Sequence, residues 1–342
     1  MYQVISHGEK SGSYQAFPDA CRLTNGDIYC AFYAGYGHVA LPSTDYPKGG
    51  RICYVRSSDE GATWTQPEIL FDDDDDNRDS HVAQLDDGSM ICTFFSWHLK
   101  GELLKTSSEF AWKLFNERAE LRAASMVRSR DNGKTWDTVA KPIHPTYTCS
   151  APVRQLADGT CLLGIYTWDR KASIGWGAVT RSHDRGETWG EVSTIGEDAK
   201  LPLDAETDVI QLKDGSILAA LRSSKINLHF ARSSDMGKTW SAPENSGFKG
   251  EAPHLNRLSG GEIILSVRSR PNTAIHVSRD DGKTWSGPFV IDNVVGGYPA
   301  TVELKDKSVL IVYYTEGVGS EIRAKRFKLR DDGIEFLALG KK

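Results

Sequence analysis

The chain has 342 residues, 39% of them hydrophobic and 25% charged, the balance of a globular protein that can bury a sizeable core. Its formal net charge of −5 excludes the strongly basic surface that nucleic acid or an anionic membrane would require of a partner. No apolar run approaches the length of a membrane span.

Two short elements alternate along the chain. The first is a strand, a tight turn and a second strand: FPDACRLTNGDIYCAF (17–32), SHVAQLDDGSMICTFF (80–95), APVRQLADGTCLLGIY (151–166), ETDVIQLKDGSILAAL (206–221), EAPHLNRLSGGEIILSV (251–267) and YPATVELKDKSVLIVYY (298–314). Asn-Gly, Asp-Gly or Gly-Gly between alternating apolar runs is a strong hairpin signal. The second element follows the first five hairpins: SSDEGATW (57–64), SRDNGKTW (129–136), SHDRGETW (182–189), SSDMGKTW (233–240) and SRDDGKTW (278–285). In each copy of Ser-x-Asp-x-Gly-x-Thr-Trp, the Asp accepts backbone N–H bonds and the Gly supplies a left-handed turn position. The Trp then has a large apolar body to bury against a neighbouring repeat.

A repeat of roughly 40–50 residues points to a propeller. Six hairpins predict an all-β fold, a six-bladed β-propeller forming one domain over residues 1–342. The sixth blade lacks the box, and its outer strands are expected at IRAKRFKL (322–329) and IEFLAL (334–339). The N-terminal YQVISHG is expected to pair with this C-terminal end and close the ring.

Between Trp97 and Met126, the apolar residues Leu103, Leu104, Phe110, Leu114 and Leu121 fall near helical spacing. They predict a helical insertion in blade two over about 101–122, acting as a lid, a subunit contact or packing on its own blade. The acidic run Asp72–Asp76 reads as a solvated loop, with a structural calcium as the alternative. No other cofactor or metal is expected. The six cysteines form no CxxC or Cys/His zinc spacing and read as reduced, mostly core thiols. The opening MYQVISHGEK lacks the apolar core of a signal peptide. A cytoplasmic location is expected if Met1 is the native start, and a secreted or periplasmic one if a leader was trimmed.

In a propeller the inner strand of each blade delivers its first residues to the central axis. Glu206 opens the fourth hairpin, and Arg222 ends it. Tyr298 opens the sixth, and Glu316 lies just beyond it. Arg270 starts the strand that enters the fifth box.

With these residues in place, the chain resembles the sialidase (neuraminidase) superfamily of Asp-box, or BNR-repeat, propellers. ETDVIQLKDGSILAALR resembles the family hairpin that carries a glutamate and one arginine of the substrate-binding triad, here Glu206 and Arg222. RPNTAIHVSRDDGKTW supplies a second triad arginine, Arg270, and YPATVELKDKSVLIVYYTE supplies Tyr298 and Glu316. The resemblance implies an exo-acting glycoside hydrolase that releases a terminal acidic sugar, sialic acid or a relative, and retains anomeric configuration. Tyr298 would be the nucleophile, Glu206 its base, Arg222 and Arg270 the carboxylate clamp, and Glu316 the support of an arginine. A neutral nucleophile suits a sugar with a carboxylate on its anomeric carbon, because an anionic one would meet like charge at bonding distance. Sialidases with a tyrosine nucleophile are a known exception to the two-carboxylate scheme.

Two positions depart from the family. Its first triad arginine lies in a Tyr-Arg-Ile-Pro phrase; here Tyr14-Gln15-Ala16-Phe17-Pro18 places Ala16 there, with Asp19 beside it. Arg51, at the start of the strand entering the first box, either compensates or is an ordinary strand-end charge. The family's acid/base Asp lies on a blade-one loop, here AGYGHVALPSTDYPKGG (34–50). Asp45 is its counterpart by position, with His38 and Asp19 as the other candidates. Asp79, in Arg78-Asp79-Ser80-His81, fits the family's aspartate that touches the substrate's side group, and His81 adds a group that titrates near neutral pH. Two alternatives stay open: a polysaccharide lyase acting by β-elimination next to a uronic acid, with His38, His81 or His254 as its base or acid, and a non-catalytic glycan-binding propeller.

Overall fold

The computed structural model describes residues 1–8, 11–107, 112–169, 172, 174–317 and 319–339. It is an all-β propeller of six sheets, each starting with an inner strand and running outward by antiparallel pairing. The inner strands are Tyr14–Arg22, Asp76–Gln84, the interrupted pair Thr148–Cys149 and Arg154–Gln155, then Thr207–Gln211, Glu251–Arg257 and Gly296–Glu303. Blade six is completed at both chain ends. Gln3–Ser6 and Gly333–Leu337 both pair with Ile322–Arg330, so the N-terminal strand closes the ring as expected.

A four-stranded sheet has two faces to cover, and each blade covers them with its neighbours. Leu23, Tyr29 and Ile52 of blade one pack with Met90, Cys92 and Phe94 of blade two. Equivalent clusters join every successive pair around the ring. All six cysteines are free thiols, five of them buried in these interfaces.

The boxes link each blade to the one before it. In the second box Ser129 and Thr135 donate their hydroxyls to Asp131, at 2.8 and 2.6 Å, and the Thr135 amide donates to the same carboxylate at 2.9 Å. Trp136 then donates its indole N–H to the Tyr29 hydroxyl of blade one at 3.1 Å. Gly133 has φ of +74°, and a β-carbon there would lie 2.6 Å from the Tyr29 ring. Glycine is therefore required both by conformation and by the close approach of the preceding blade. The box turns lie at the same end of the blades as the Leu-x-Asp-Gly hairpin turns, opposite the end where the inner strands begin.

The helical insertion expected over 101–122 is not what forms. Among the described residues of this segment only Trp112–Arg118 is helical, and Ala119–Ser129 is already a strand that carries Leu121. Phe110 lies outside the described residues. Leu104 is fully buried and bridges to Ser43, where it packs with Val39, Leu41, Trp97 and Phe115. The apolar spacing thus reflects a segment folded onto a blade-one loop rather than one amphipathic helix. The acidic run is internally bonded: Asp73 accepts from Asn77 at 2.8 Å, Asp75 lies 2.7 Å from His98, and Asp76 accepts from Tyr33 at 2.8 Å. Among the described residues no group of three or more His, Cys, Asp and Glu side chains is placed to hold a metal ion. Among them, too, no helix is long and apolar enough to cross a membrane.

Hydrogen bonds from threonine, led by its hydroxyl, hold the carboxyls of Asp131, Asp184 and Asp280 down to about 2. A folded value below the unfolded value of about 3.9 contributes stability that is fully present above that pH and lost as pH falls toward 2. The melting temperature should therefore drop across this window. An Asp131→Asn/Asp184→Asn/Asp280→Asn variant should melt lower at pH 7 and show a flatter dependence between pH 4 and 2, measured by thermal denaturation.

Candidate active site at the head of the inner strands

Counting back six residues from the leucine of each hairpin turn gives Phe17, Asp79, Ser150, Glu206, Ala252 and Tyr298. Counting back four gives Asp19, His81, Pro152, Asp208, His254 and Ala300. These are two layers stacked along the axis. Four inner strands slip register between the layers, at Ala16/Asp19, Arg78/His81, Glu251/His254 and Gly297/Ala300. At the slip Phe17, Asp79, Ala252 and Tyr298 adopt φ values of 53°, 51°, 49° and 45°. Left-handed backbone at non-glycine residues costs of order 1–3 kcal/mol each and clusters at functional sites. Here it re-aims the upper-layer side chains.

In the upper layer Tyr298 donates its hydroxyl to Glu206 Oε1 at 2.6 Å, and Arg222 donates Nη1–H to the same hydroxyl at 3.2 Å. Arg222 also bonds the Glu206 carboxylate directly. All three side chains are mostly or wholly buried. Burial, then the adjoining Glu206 carboxylate, pushes the Tyr298 hydroxyl well above its ordinary value, while Arg222 pulls it down. Burial likewise raises the Glu206 carboxyl against the opposing charge of Arg222.

Arg222 and Arg270 converge on a carboxylate of the protein itself. Glu251 Oε2 accepts from Arg222 at 2.9 Å, and Glu251 Oε1 accepts from Arg270 at 2.7 Å. Arg268 Nη1 adds a third contact at 3.4 Å, and its guanidinium lies 5.0 Å over the Tyr298 ring. Burial works upward on Glu251, but the Arg270 bond and the surrounding charges hold its carboxyl below the ordinary value. Asp204 stands 3.2 Å from Arg222 Nε as an ion pair without hydrogen-bond geometry.

Glu316 does not touch an arginine. It accepts from the hydroxyls of Tyr14 and Tyr314, both at 2.7 Å, and lies 3.4 Å from His38 Nδ1. Burial raises its carboxyl, but the His38, Tyr14 and Tyr314 bonds hold it down to about 2. Tyr314 in turn accepts from Arg268 at 3.0 Å, so Glu316 supports an arginine only through that ring. Asp45 is exposed and accepts from the Ser107 amide and hydroxyl at 3.0 and 3.1 Å, with no contact to the Tyr298 cluster. His38, on the same loop, instead packs edge-on to Phe17 at 5.4 Å, and Phe17 packs on Tyr298 at 4.9 Å.

Asp79 enters the site, accepting from Ser150 at 2.8 Å. Asp19 and His81 belong to the lower layer. Asp19 is fully buried, accepts from the Val82 amide at 2.8 Å, and stands 3.2 Å from His254 and 3.5 Å from His81. They therefore lie below the surface on which Tyr298 and Glu206 meet. Arg51 shares its electrostatic environment with Asp72, and no contact joins it to Arg222 or Arg270. It remains a strand-end charge.

Reading the sequence alone missed Arg268 and Glu251. Arg268 was accessible, since residues two apart on a strand share a face and Arg270 was already singled out. Glu251 opens its inner strand much as Glu206 opens the preceding one.

A model of the BNR repeat-like domain matches residues 108–311. No curated protein sequence matches the chain. A Dyadobacter fermentans protein of unknown function superposes with a TM-score of 0.77 at 24% identity, covering 96% of this chain and 98% of that one. The NanB sialidase of Streptococcus pneumoniae follows at 0.71 and 15%, covering 94% and 70%. The intramolecular trans-sialidase of Ruminococcus gnavus gives 0.71 and 15%, covering 97% and 98%. At these identities the likeness is one of fold.

Glu251 is the shared counter-ion of three arginines. Glu251→Gln should lower unfolding stability by about 3 kcal/mol, because it removes the carboxylate partner of buried Arg268 and one of those of Arg222. Urea denaturation followed by tryptophan fluorescence measures this, and a loss below about 0.5 kcal/mol would show the cluster to be surface-like.

Proposed function

For a chain that belongs to the BNR repeat-like domain family and folds as a sialidase-like propeller, we propose a retaining glycoside hydrolase that releases a terminal acidic sugar. The observation that carries this reading is Tyr298 donating to Glu206 at 2.6 Å beneath Arg222. Burial keeps Tyr298 protonated in the resting site, so it is neutral toward an anionic sugar. As its oxygen attacks the anomeric carbon, the proton passes to Glu206, whose burial-raised carboxyl makes it the stronger base. Arg222 faces the oxygen as negative charge develops there and stabilises it electrostatically. The bond to the leaving oxygen breaks as a proton is delivered to it. His38 is the titratable side chain on the blade-one loop that adjoins this cluster, and the reading assigns it that donation. Water, giving its proton to His38 as it attacks the anomeric carbon, then releases the sugar from Tyr298, whose oxygen takes its proton back from Glu206.

Tyr298→Phe keeps the ring packing against Phe17 and removes only the oxygen. It should reduce turnover of an acidic-sugar glycoside by at least about a thousandfold, with little change in melting temperature. A fluorinated acidic-sugar inhibitor should label Tyr298 alone, as read by peptide mass spectrometry. Near-normal activity in Tyr298→Phe would overturn the mechanism. Products of an acidic-sugar panel separate the rivals: an added water means hydrolysis, and an unsaturated uronate absorbing in the ultraviolet means β-elimination. Binding without product leaves a glycan-binding propeller. If Glu206 is the base, the acid limb of kcat/KM should lie above the ordinary carboxylate range of about 4.3, because its folded value is raised. An acid limb at or below that range would remove Glu206 from the role.

A further inference from the structure

One buried cation near the axis has no hydrogen-bond partner. Arg78 precedes Asp79 on the second inner strand, and only 6% of its surface is exposed. Its Nε is enclosed without an acceptor, and no described residue accepts from any nitrogen of its guanidinium. The nearest acids, Asp76 and Asp79, are 3.9 and 4.0 Å away, beyond hydrogen-bond length. Each gives one oxygen to another partner, Asp76 to the Tyr33 hydroxyl and Asp79 to Ser150, and faces Arg78 with the other at ion-pair distance but without a hydrogen bond. Burial pushes the Asp76 carboxyl up while the Arg78 charge pulls it back, so the two attract as an ion pair that makes no hydrogen bond.

Three aromatic rings surround the guanidinium, Phe17 at 5.3 Å, Tyr33 at 5.6 Å and Phe95 at 5.9 Å. Ring faces attract the cation but offer no acceptor to its in-plane N–H groups. A buried arginine in that condition is costly unless something supplies acceptors. The other arginines of the site are in the opposite state, because Glu251 already supplies Arg222, Arg268 and Arg270 with a carboxylate.

We propose that Arg78 is the residue that reads the acidic group of the substrate, in the role that Ala16 on blade one cannot fill. Its planar fork matches a carboxylate bidentately. Phe17 relates it to the chemistry: the same ring packs on Arg78 and, at 4.9 Å, on Tyr298, so a carboxylate held by Arg78 lies one aromatic ring from the attacking hydroxyl. This assignment rests on the acidic-sugar reading of the site, but it is tested by binding rather than by turnover.

The experiment is isothermal titration calorimetry on the Tyr298→Phe protein, with N-acetylneuraminic acid and glucuronic acid against their methyl esters. At least one acid should bind about tenfold to a hundredfold tighter than its ester. Arg78→Gln in the same background should erase that gap, Arg78→Lys should keep part of it, and Arg270→Gln should leave it in place. A gap that survives in Arg78→Gln, or the absence of any preference for acid over ester, overturns the assignment. Because Arg78 is buried and its variants need not fold, a crystal of the Tyr298→Phe protein soaked with the tighter acid gives a second reading. A carboxylate on Arg78 supports the assignment, and one on Arg222 or Arg270 overturns it. The two failures separate cleanly. An Arg78-dependent gap with no hydrolysis by the unsubstituted protein sinks only the hydrolase reading. Hydrolysis with a gap unchanged in Arg78→Gln sinks only the assignment.

Discussion

Everything in this molecule depends on ring closure. No blade covers its own two faces; each interface is built half from one sheet and half from the next, as in the cluster that joins Leu258, Ile264 and Val277 to Val309, Ile311 and Phe327. Such a ring gains its last interface only when Gln3–Ser6 lies down beside Ile322–Arg330 and blade one meets blade six. Closure also fixes the axis. Six inner strands then point the same residues, counted from their hairpin turns, at one small volume, although those residues are far apart in the chain.

The axis is where local rules are broken. Inner strands would normally alternate their side chains with period two, yet four of them bulge between the upper and lower layers, and a non-glycine residue takes the left-handed conformation at each bulge. The conformation is unfavourable for an aromatic residue such as Tyr298. It is sustained because Tyr298 is packed by Phe17 and Tyr314 and bonded to Glu206 and Arg222. The box end also takes left-handed backbone at non-glycine residues, Glu60, Asn132, Arg185, Met236 and Asp281, but each directly precedes the box glycine inside a local turn rather than interrupting a strand. Bulged strands and the candidate site therefore sit at one end of the blades, and repeated turn chemistry at the other.

This division explains what could be read in the sequence. Hairpins and boxes are local patterns of a few residues, so six blades, the closing N-terminal strand and the outer strands of blade six were all legible. Tyr298 and Glu206 were legible because each opens a recognisable hairpin. Glu251 and Arg78 were not, because their significance lies in what reaches them across blades, or fails to. Asp45 falls on a loop whose path depends on Leu104 and Ser107, and the apolar spacing of that same segment suggests a helix that does not form. The two are linked: once residues 101–107 fold onto the loop, Asp45 is held by Ser107 and His38 is left facing the aromatic cluster.

The arginines carry the same lesson into electrostatics. Finding several near the axis suggests a strongly cationic pocket, but Asp204, Glu206 and Glu251 stand among them. A guanidinium that already holds a carboxylate contributes order and a fixed dipole more than free charge for a ligand. Arg222 fits that description, since its bonds to Glu206, Tyr298 and Glu251 hold the Tyr298–Glu206 pair in place and tie blade four to blades five and six. On the acidic-sugar reading proposed above, the charge of a ligand is selected by a cation whose hydrogen bonds remain to be made. Around this axis the count of arginines matters less than which of them is still without an acceptor.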